Sequence, residues 1–218
     1  MIIAIDGPAG SGKSTIAKLI AKKLDFLYID TGAMYRSLTL KAMQEKLDLN
    51  DKNALIDLAK NTKIELNQKI EGRMQVLLDS KDVSSEIRTP EVTNNISYIA
   101  DIPGVRAEMV KLQRSVGFSS KKGAVLEGRD IGTVVFPLAE RKFYIDATPE
   151  ERAKRRFKEL AQDGIKVDIK QLQKDIQIRD AKDKTRPVGA LKKAKDAILI
   201  DTTKLTIAQV VEKALSYI

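Results

Sequence analysis

The 218-residue chain contains no cysteine, no histidine and no tryptophan. Without cysteine there are no disulfides and no thiolate metal sites; without histidine there is neither an imidazole base nor an imidazole ligand. Acid–base and metal chemistry therefore fall to carboxylates, hydroxyls and lysine. Aromatic residues make up only 5% of the chain, and no stacking motif lies among its basic residues, which argues against a nucleic-acid-binding ATPase. No apolar run approaches the ~20 residues of a membrane span. The N-terminus enters an apolar strand directly, with no basic region or cleavage site, so no targeting segment is expected and the cytoplasm is the expected location.

What is present suffices for one sizeable core, or a core with an inserted subdomain: 43% of residues are hydrophobic and 32% charged. The net charge of +9 is unevenly spread. From Arg152 to Lys195 there are 15 Lys and Arg against 6 Asp and Glu, and the rest of the chain balances at 24 against 24. Such a run is most simply a solvated helical face. It also suits a nucleic-acid patch, or a flexible cover that closes over a polyanionic nucleotide.

The third reading gains weight from the N-terminus. Gly7-Pro8-Ala9-Gly10-Ser11-Gly12-Lys13-Ser14-Thr15 follows the apolar run Ile2–Asp6 and precedes Ile16–Leu24, whose apolar spacing is helical. Strand, Gly-x4-Gly-Lys-Ser and helix together are the context of a phosphate-binding P-loop. Glycines let successive N–H groups turn inward, and the following helix adds its positive end. Pro8 stiffens the loop. Lys13 can bring a cation to the β/γ-phosphates, and the Ser14 hydroxyl can ligate Mg²⁺.

Further along, Phe26–Asp30 reads as a strand, and Thr31 begins a helix to about Glu45. Asn50 or Asp51 can cap another through Ala59. Alternation then takes over in Lys63–Asn67, a glycine turn is expected within Gln68–Arg73, and Met74–Asp79 and Asp82–Ser84 continue as strands. This reads as an antiparallel meander inserted at about residues 61–95. Thr89 and Pro90 open a helix. Pro103 opens another, expected to stop near Val116 ahead of Gly117. Ala124–Glu127, Lys142–Asp146 and Ala197–Asp201 read as strands. Thr148-Pro149-Glu150-Glu151 reads as a capping box for a basic helix through Leu160, Asp168 with Gln171 starts the next helix, and Thr206 with Gln209 caps the last. Five apolar strands alternating with helices predict an α/β fold with a five-stranded parallel sheet covered on both faces.

The motifs Ile5–Thr15, Asp30-Thr31-Gly32-Ala33-Met34-Tyr35-Arg36, Glu86–Val92 and Glu127-Gly128-Arg129-Asp130-Ile131–Pro137, with Arg179-Asp180 and Asp183–Arg186, resemble those of the bacterial cytidylate kinases in order and over nearly the whole chain. The resemblance implies a P-loop kinase core (residues 1–30, 104–150 and 187–218), an inserted domain for the nucleoside monophosphate (31–103) that holds the meander, and a mobile basic lid (151–186). It implies ATP-dependent phosphorylation of CMP and dCMP, with Mg²⁺, by a protein expected to be monomeric and to engage neither nucleic acid nor membrane.

A nucleoside monophosphate has a second pKa near ~6, so it is already a dianionic nucleophile at neutral pH and requires no base. Catalysis then rests on positioning and charge neutralisation, which arginines supply in two-pronged geometry. By resemblance, Arg36, Arg129 and Arg186 hold the acceptor phosphate. Ser97, Arg106 and Asp130 read the cytosine, whose N4 amino group suits a carboxylate and whose O2 and N3 suit an arginine. Asp183 takes the ribose with Arg179 beside it, and Thr31 and Tyr35 complete the acceptor site. On the donor side, Gly7, Pro8, Ala9, Gly10, Ser11, Gly12, Lys13, Ser14 and Thr15 cradle ATP. Arg152, Arg155 and Arg156 share a helix face, and Arg152 and Arg156 are expected to approach its phosphates as the lid closes. Lys13, Arg129, Arg186 and Arg152 are the expected catalytic set. Ser14 and Glu127 are the expected metal contacts, Glu127 standing where the family often carries Asp. A kinase for UMP or for a non-nucleotide metabolite is the alternative within enzymes. Asp130 argues against uracil, which puts an acceptor where cytosine has a donor.

Overall fold

A computed structural model describes residues 1–68, 74–162, 164 and 167–218; the glycine turn expected within Gln68–Arg73 lies outside the described residues, apart from Gln68. The core is a parallel sheet in the order β2-β6-β1-β7-β8. Its strands are β1 (Ile2–Asp6), β2 (Leu27–Asp30), β6 (Ala124–Gly128), β7 (Arg141–Asp146) and β8 (Ile198–Asp201). β1 and β6 are buried at every position, as strands covered on both faces must be. These are the five strands the apolar runs predict. The remaining three, β3 (Ile64–Gln68), β4 (Met74–Leu78) and β5 (Lys81–Asp82), form an antiparallel sheet. β4 alternates buried and half-buried residues, the pattern of a sheet with one face on the core.

The helices are α1 (Lys13–Leu24), α2 (Thr31–Gln44), α3 (Lys52–Asn61), α4 (Pro90–Ala100), α5 (Pro103–Ser119), α6 (Pro149–Gln162), α7 (Ile169–Thr185) and α8 (Ile207–Leu215). Their starts follow local chemistry. The Asp30, Asp51, Thr89, Asp168 and Thr206 side chains each accept from first-turn amides. Thr206 and Gln209 form a complete capping box. At α6 only half of one forms. Thr148 accepts from the Glu151 amide at 3.3 Å, but the Glu151 carboxylate turns to Arg155 Nε, 3.1 Å away. The charge-assisted bond to an arginine displaces the weaker return bond to backbone.

The register of the core decides where the chemistry falls. Ile5 pairs with Glu127 and Asp6 with Gly128; Asp30 pairs with Glu127. The C-terminal ends of β1, β2 and β6 therefore lie side by side, and the P-loop, the start of α2 and the Arg129-Asp130 turn all leave from one edge. That edge is where open α/β sheets place their ligands. The turn itself, Ile131–Val135, is a single widened helical turn that the sequence did not announce.

α5 runs three residues past its expected end, through Gly117. That glycine serves packing. A Cβ built on it would lie 2.7 Å from Phe136 Cζ and 3.1 Å from Cε2, and Phe136 is itself buried. Gly117→Ala gains about 1 kcal/mol of helix propensity and loses about 1–3 kcal/mol to overpacking. We expect a net loss of about 1 kcal/mol in denaturant unfolding. In a Phe136→Leu background, where the ring is gone, the same change should stabilise.

Candidate active site

The P-loop closes on itself through Lys13, whose Nζ donates to the Pro8 carbonyl at 2.9 Å. Gly10 and Gly12 take φ of 75° and 92°, which lets the loop curl tightly just ahead of the free N–H groups in the first turn of α1. Burial lowers the Lys13 pKa to about 7, and the neighbouring Arg129 and Arg179 push the same way against Glu127 and Asp183. Ser14 and Thr15 are exposed at the start of α1, and Ser11 is buried with its hydroxyl unpartnered among the described residues.

Asp6 stands at the end of β1, one residue before this loop. Its two carboxylate oxygens accept from the Ile131 and Gly132 amides at 2.8 and 2.7 Å. Burial raises its pKa to about 7 against the pull of those two amides. The turn it holds begins with Arg129 and Asp130. Glu127, at the end of β6, accepts from Tyr28 Oη at 3.0 Å through one oxygen. Thr31 donates to the Glu127 carbonyl at 2.7 Å, which ties the start of α2 to β6.

Facing these residues is a set of arginines. Arg129 Nε donates to Asp183 Oδ2 at 2.7 Å, and Arg186 Nη2 donates to Asp183 Oδ1 at 2.8 Å. Arg186 Nε also reaches Asp101 at 2.5 Å. Burial alone would raise the Asp183 pKa, but Arg129 and Arg186 hold it below the ordinary carboxylate range. Arg36 pairs with Asp30 at 3.0 Å. Arg179 is different. Among the described residues no carboxylate stands at ion-pair distance from it, and burial, followed by Arg129, lowers its pKa to about 10. The mouth of the P-loop thus gathers Lys13, Arg129 and Arg179 beside Glu127 and Asp183.

Beside this cluster Arg106 Nη2 is paired with Asp130 Oδ2, and Arg106 Nη1 donates to the Ala100 carbonyl at 3.0 Å. Both side chains are almost fully buried. Burial works against the Arg106 charge, but Tyr35 and Asp130 more than offset it and hold the pKa above its usual value. The Arg106 guanidinium lies 5.3 Å from the Tyr35 ring centroid, within cation–π range, and burial pushes the Tyr35 hydroxyl up to about 12. Ser97 sits half-buried on α4, one turn before the Ala100 carbonyl.

The basic helices are docked. Arg152 is 3% exposed. It donates to the carbonyls of Ala147 and Ala9, each at 3.0 Å, and pairs with Asp180 of α7 at 2.6 Å. Its Cβ would lie 3.3 Å from one built on Gly10. Arg155 bridges Glu151, the Ser11 carbonyl at 3.4 Å, and Thr202 at 2.9 and 2.7 Å. Arg156 faces solvent and pairs with Glu159 at 2.9 Å. Of the three arginines on that face, two touch the P-loop backbone and Arg156 does not.

Sequence reasoning passed over Asp6, Asp101, Asp180 and Arg155 as site residues. Asp6 adjoins the P-loop and Asp180 adjoins Arg179, so proximity could have flagged both. Asp101 carries no local signal; only the fold brings it to Arg186.

For Mg²⁺ the donor set is suitable. The Ser14 hydroxyl and Glu127 Oε2, which has no partner among the described residues, are hard oxygen ligands of the kind magnesium takes. They number too few to form a cage, as expected of an ion that keeps its waters and binds largely through substrate phosphates.

A model of the cytidylate kinase family matches residues 3–218. The cytidylate kinase of Desulforamulus reducens is 54% identical over 217 residues, covering 99% of this chain and 96% of that protein. That of Geobacillus sp. WCH70 is 51% identical over 216 residues, covering 99% and 95%. A solved structure from Thermus thermophilus has a TM-score of 0.52 at 17% identity, covering 100% of this chain and 95% of its own, a likeness of fold alone. The chain therefore belongs to the cytidylate kinase family of phosphotransferases.

Proposed function

We propose that the chain transfers the γ-phosphoryl group of ATP to the phosphate of CMP or dCMP, giving ADP and CDP or dCDP. The observation that carries this is the gathering of buried Lys13 with half-buried Arg129 and Arg179 at the P-loop mouth, above all Arg179, which has no carboxylate at ion-pair distance among the described residues. Buried charge of one sign calls for a partner of the other, and two phosphate groups provide it.

In this reading the P-loop amides and Lys13 hold the donor β- and γ-phosphates. Arg36, Arg129 and Arg186 hold the acceptor phosphate opposite, aligned for in-line attack. An oxygen of that phosphate forms the new P–O bond as the bond from the γ-phosphorus to the β-bridging oxygen breaks. The acceptor is already a dianion, so no residue needs to take a proton. Arg129 and Lys13 face the transferred group and lower the barrier by stabilising charge as it spreads. Mg²⁺ held by Ser14 and Glu127 would supply neutralising charge to the β- and γ-oxygens. Arg152, committed to the Ala9 carbonyl and Asp180, supports the loop from behind. The buried Arg106–Asp130 pair suits the cytosine edge, and in this reading Asp183, with Arg179 beside it, takes the ribose. Among the described residues no helix is long and apolar enough to cross a membrane, and the proposed protein acts as a cytoplasmic monomer on small nucleotides.

The direct test is ADP release with ATP and each of CMP, dCMP, UMP, AMP and GMP. CMP and dCMP should exceed the others in kcat/KM; a preference for UMP or for a purine would replace this reading.

ATP binding should also take up a proton at pH 8. The free Lys13 side chain loses its proton as pH rises through about 7, and bound phosphate restores it. Binding enthalpy measured in buffers of different ionisation enthalpy should show uptake close to one proton at pH 8, little at pH 6, and none in Lys13→Met.

Asp130→Asn should lower the ratio of kcat/KM for CMP over UMP about tenfold, since it exchanges an obligate acceptor for a group that can donate to the uracil oxygen. Both values should fall as well, because the change strips Arg106 of its buried counter-charge. An unchanged ratio would mean that Asp130 only shapes the turn.

A further inference from the structure

Beyond α7 the chain does not leave the site. Residues 187–190 form a strap that returns to it and is fixed at both ends to one residue. Arg186, just before the strap, donates to the Asp183 side chain, and the Leu191 amide, just after it, donates to the Asp183 carbonyl at 2.8 Å. Arg186 is fixed a second time, to Asp101 beyond α4, and Leu191 is buried. Within the strap Val188 is exposed and Ala190 half-buried, but Gly189 between them is buried.

What buries Gly189 is the Arg106–Asp130 pair. A Cβ built on Gly189 would lie 2.5 Å from Arg106 Cζ and closer still to Arg106 Nη2 and Asp130 Oδ2. No side chain can occupy that space without moving the strap or separating the pair. The backbone there also has φ of +69°, which glycine alone adopts at no steric cost. Two independent constraints, conformation and clearance, thus meet at one residue, and the second is set by the groups proposed to read the base.

We propose that Gly189 is a positioning residue for the acceptor: its missing side chain lets the strap pack directly on the Arg106–Asp130 pair and so holds that pair in place to meet the base. The inference rests on the reading of this pair as the base-recognition site. Gly189 acts through the pair and through the strap, and is a positioning residue with no part in the phosphoryl transfer. Because the strap is fixed to Asp183 and Arg186, whatever lifts it also disturbs the groups proposed to hold ribose and phosphate. A side chain at Gly189 therefore disturbs the far end of the acceptor site as well as the base-reading pair.

The test compares Gly189→Ala with Gly164→Ala. Gly164 has φ of +76° and, among the described residues, nothing within 4 Å of a built Cβ, so that variant meets the backbone cost alone, whereas Gly189→Ala meets the same cost and the collision. Gly189→Ala should raise KM for CMP at least tenfold, with KM for ATP and the thermal midpoint changed no more than in Gly164→Ala. In an Arg106→Ala background, where the guanidinium is gone, the effect of Gly189→Ala on CMP should shrink at least threefold. Equal effects of the two glycine variants on KM for CMP would overturn the proposal. So would an equal rise in KM for ATP, or an effect of Gly189→Ala that is the same with and without Arg106. The unsubstituted chain, assayed alongside with CMP and UMP, reports separately on the base-recognition reading: no preference between them would remove that reading whatever the glycine variants do.

Discussion

One carboxylate joins the two halves of the site. Asp6 closes β1 immediately before the P-loop, and its oxygens hold the backbone of the turn that starts with Arg129 and Asp130. The P-loop and the Arg129-Asp130 turn are thereby set on a common support, at the edge where β1, β2 and β6 end in register. The proposed reaction, which proceeds by alignment rather than by proton transfer, would depend on such a support, because small errors in the position of either phosphate are costly. Asp6 never needs to approach a phosphate to matter.

The arginines are managed by a second set of carboxylates. Asp183 is shared by Arg129 and Arg186, Asp180 holds Arg152, Asp101 holds Arg186, and Asp30 holds Arg36. Each pair keeps a guanidinium in place and limits the repulsion among like charges. An arriving phosphate then competes for donors already pointed inward. Arg179 alone in this set has no carboxylate at ion-pair distance among the described residues.

The core strands were legible in the sequence because strands covered on both faces read as continuous apolar runs, and the helix starts were legible because Asp30, Asp51, Thr89, Asp168 and Thr206 cap through their own side chains. The P-loop was legible from spacing alone. Two kinds of feature were not. The turn at Ile131–Val135 and the continuation of α5 through Gly117 depend on tertiary partners, the Asp6 carboxylate and the Phe136 ring, which lie far off in the chain. The division of labour among Arg152, Arg155 and Arg156 was also hidden. Their shared helix face was plain, but which guanidinium turns inward depends on carbonyls at Ala9 and Ser11 and on Asp180. Periodicity names a face and says nothing about what lies against it.

The anchoring of Arg152 makes α6 a lever with its fulcrum at the P-loop. The first turn of the helix lies against Gly10, and Arg152 grips the Ala9 carbonyl there. At about 1.5 Å of rise per residue, the far end of this 14-residue helix stands roughly 20 Å from that point. A tilt of a few degrees at the fulcrum is magnified along the shaft, so a displacement of an ångström or more at the outer end of the helix would leave the residues beside Gly10 almost in place. In the proposed reading, access to the nucleotide would thereby be mechanically separated from the precision of its cradle within a single helix.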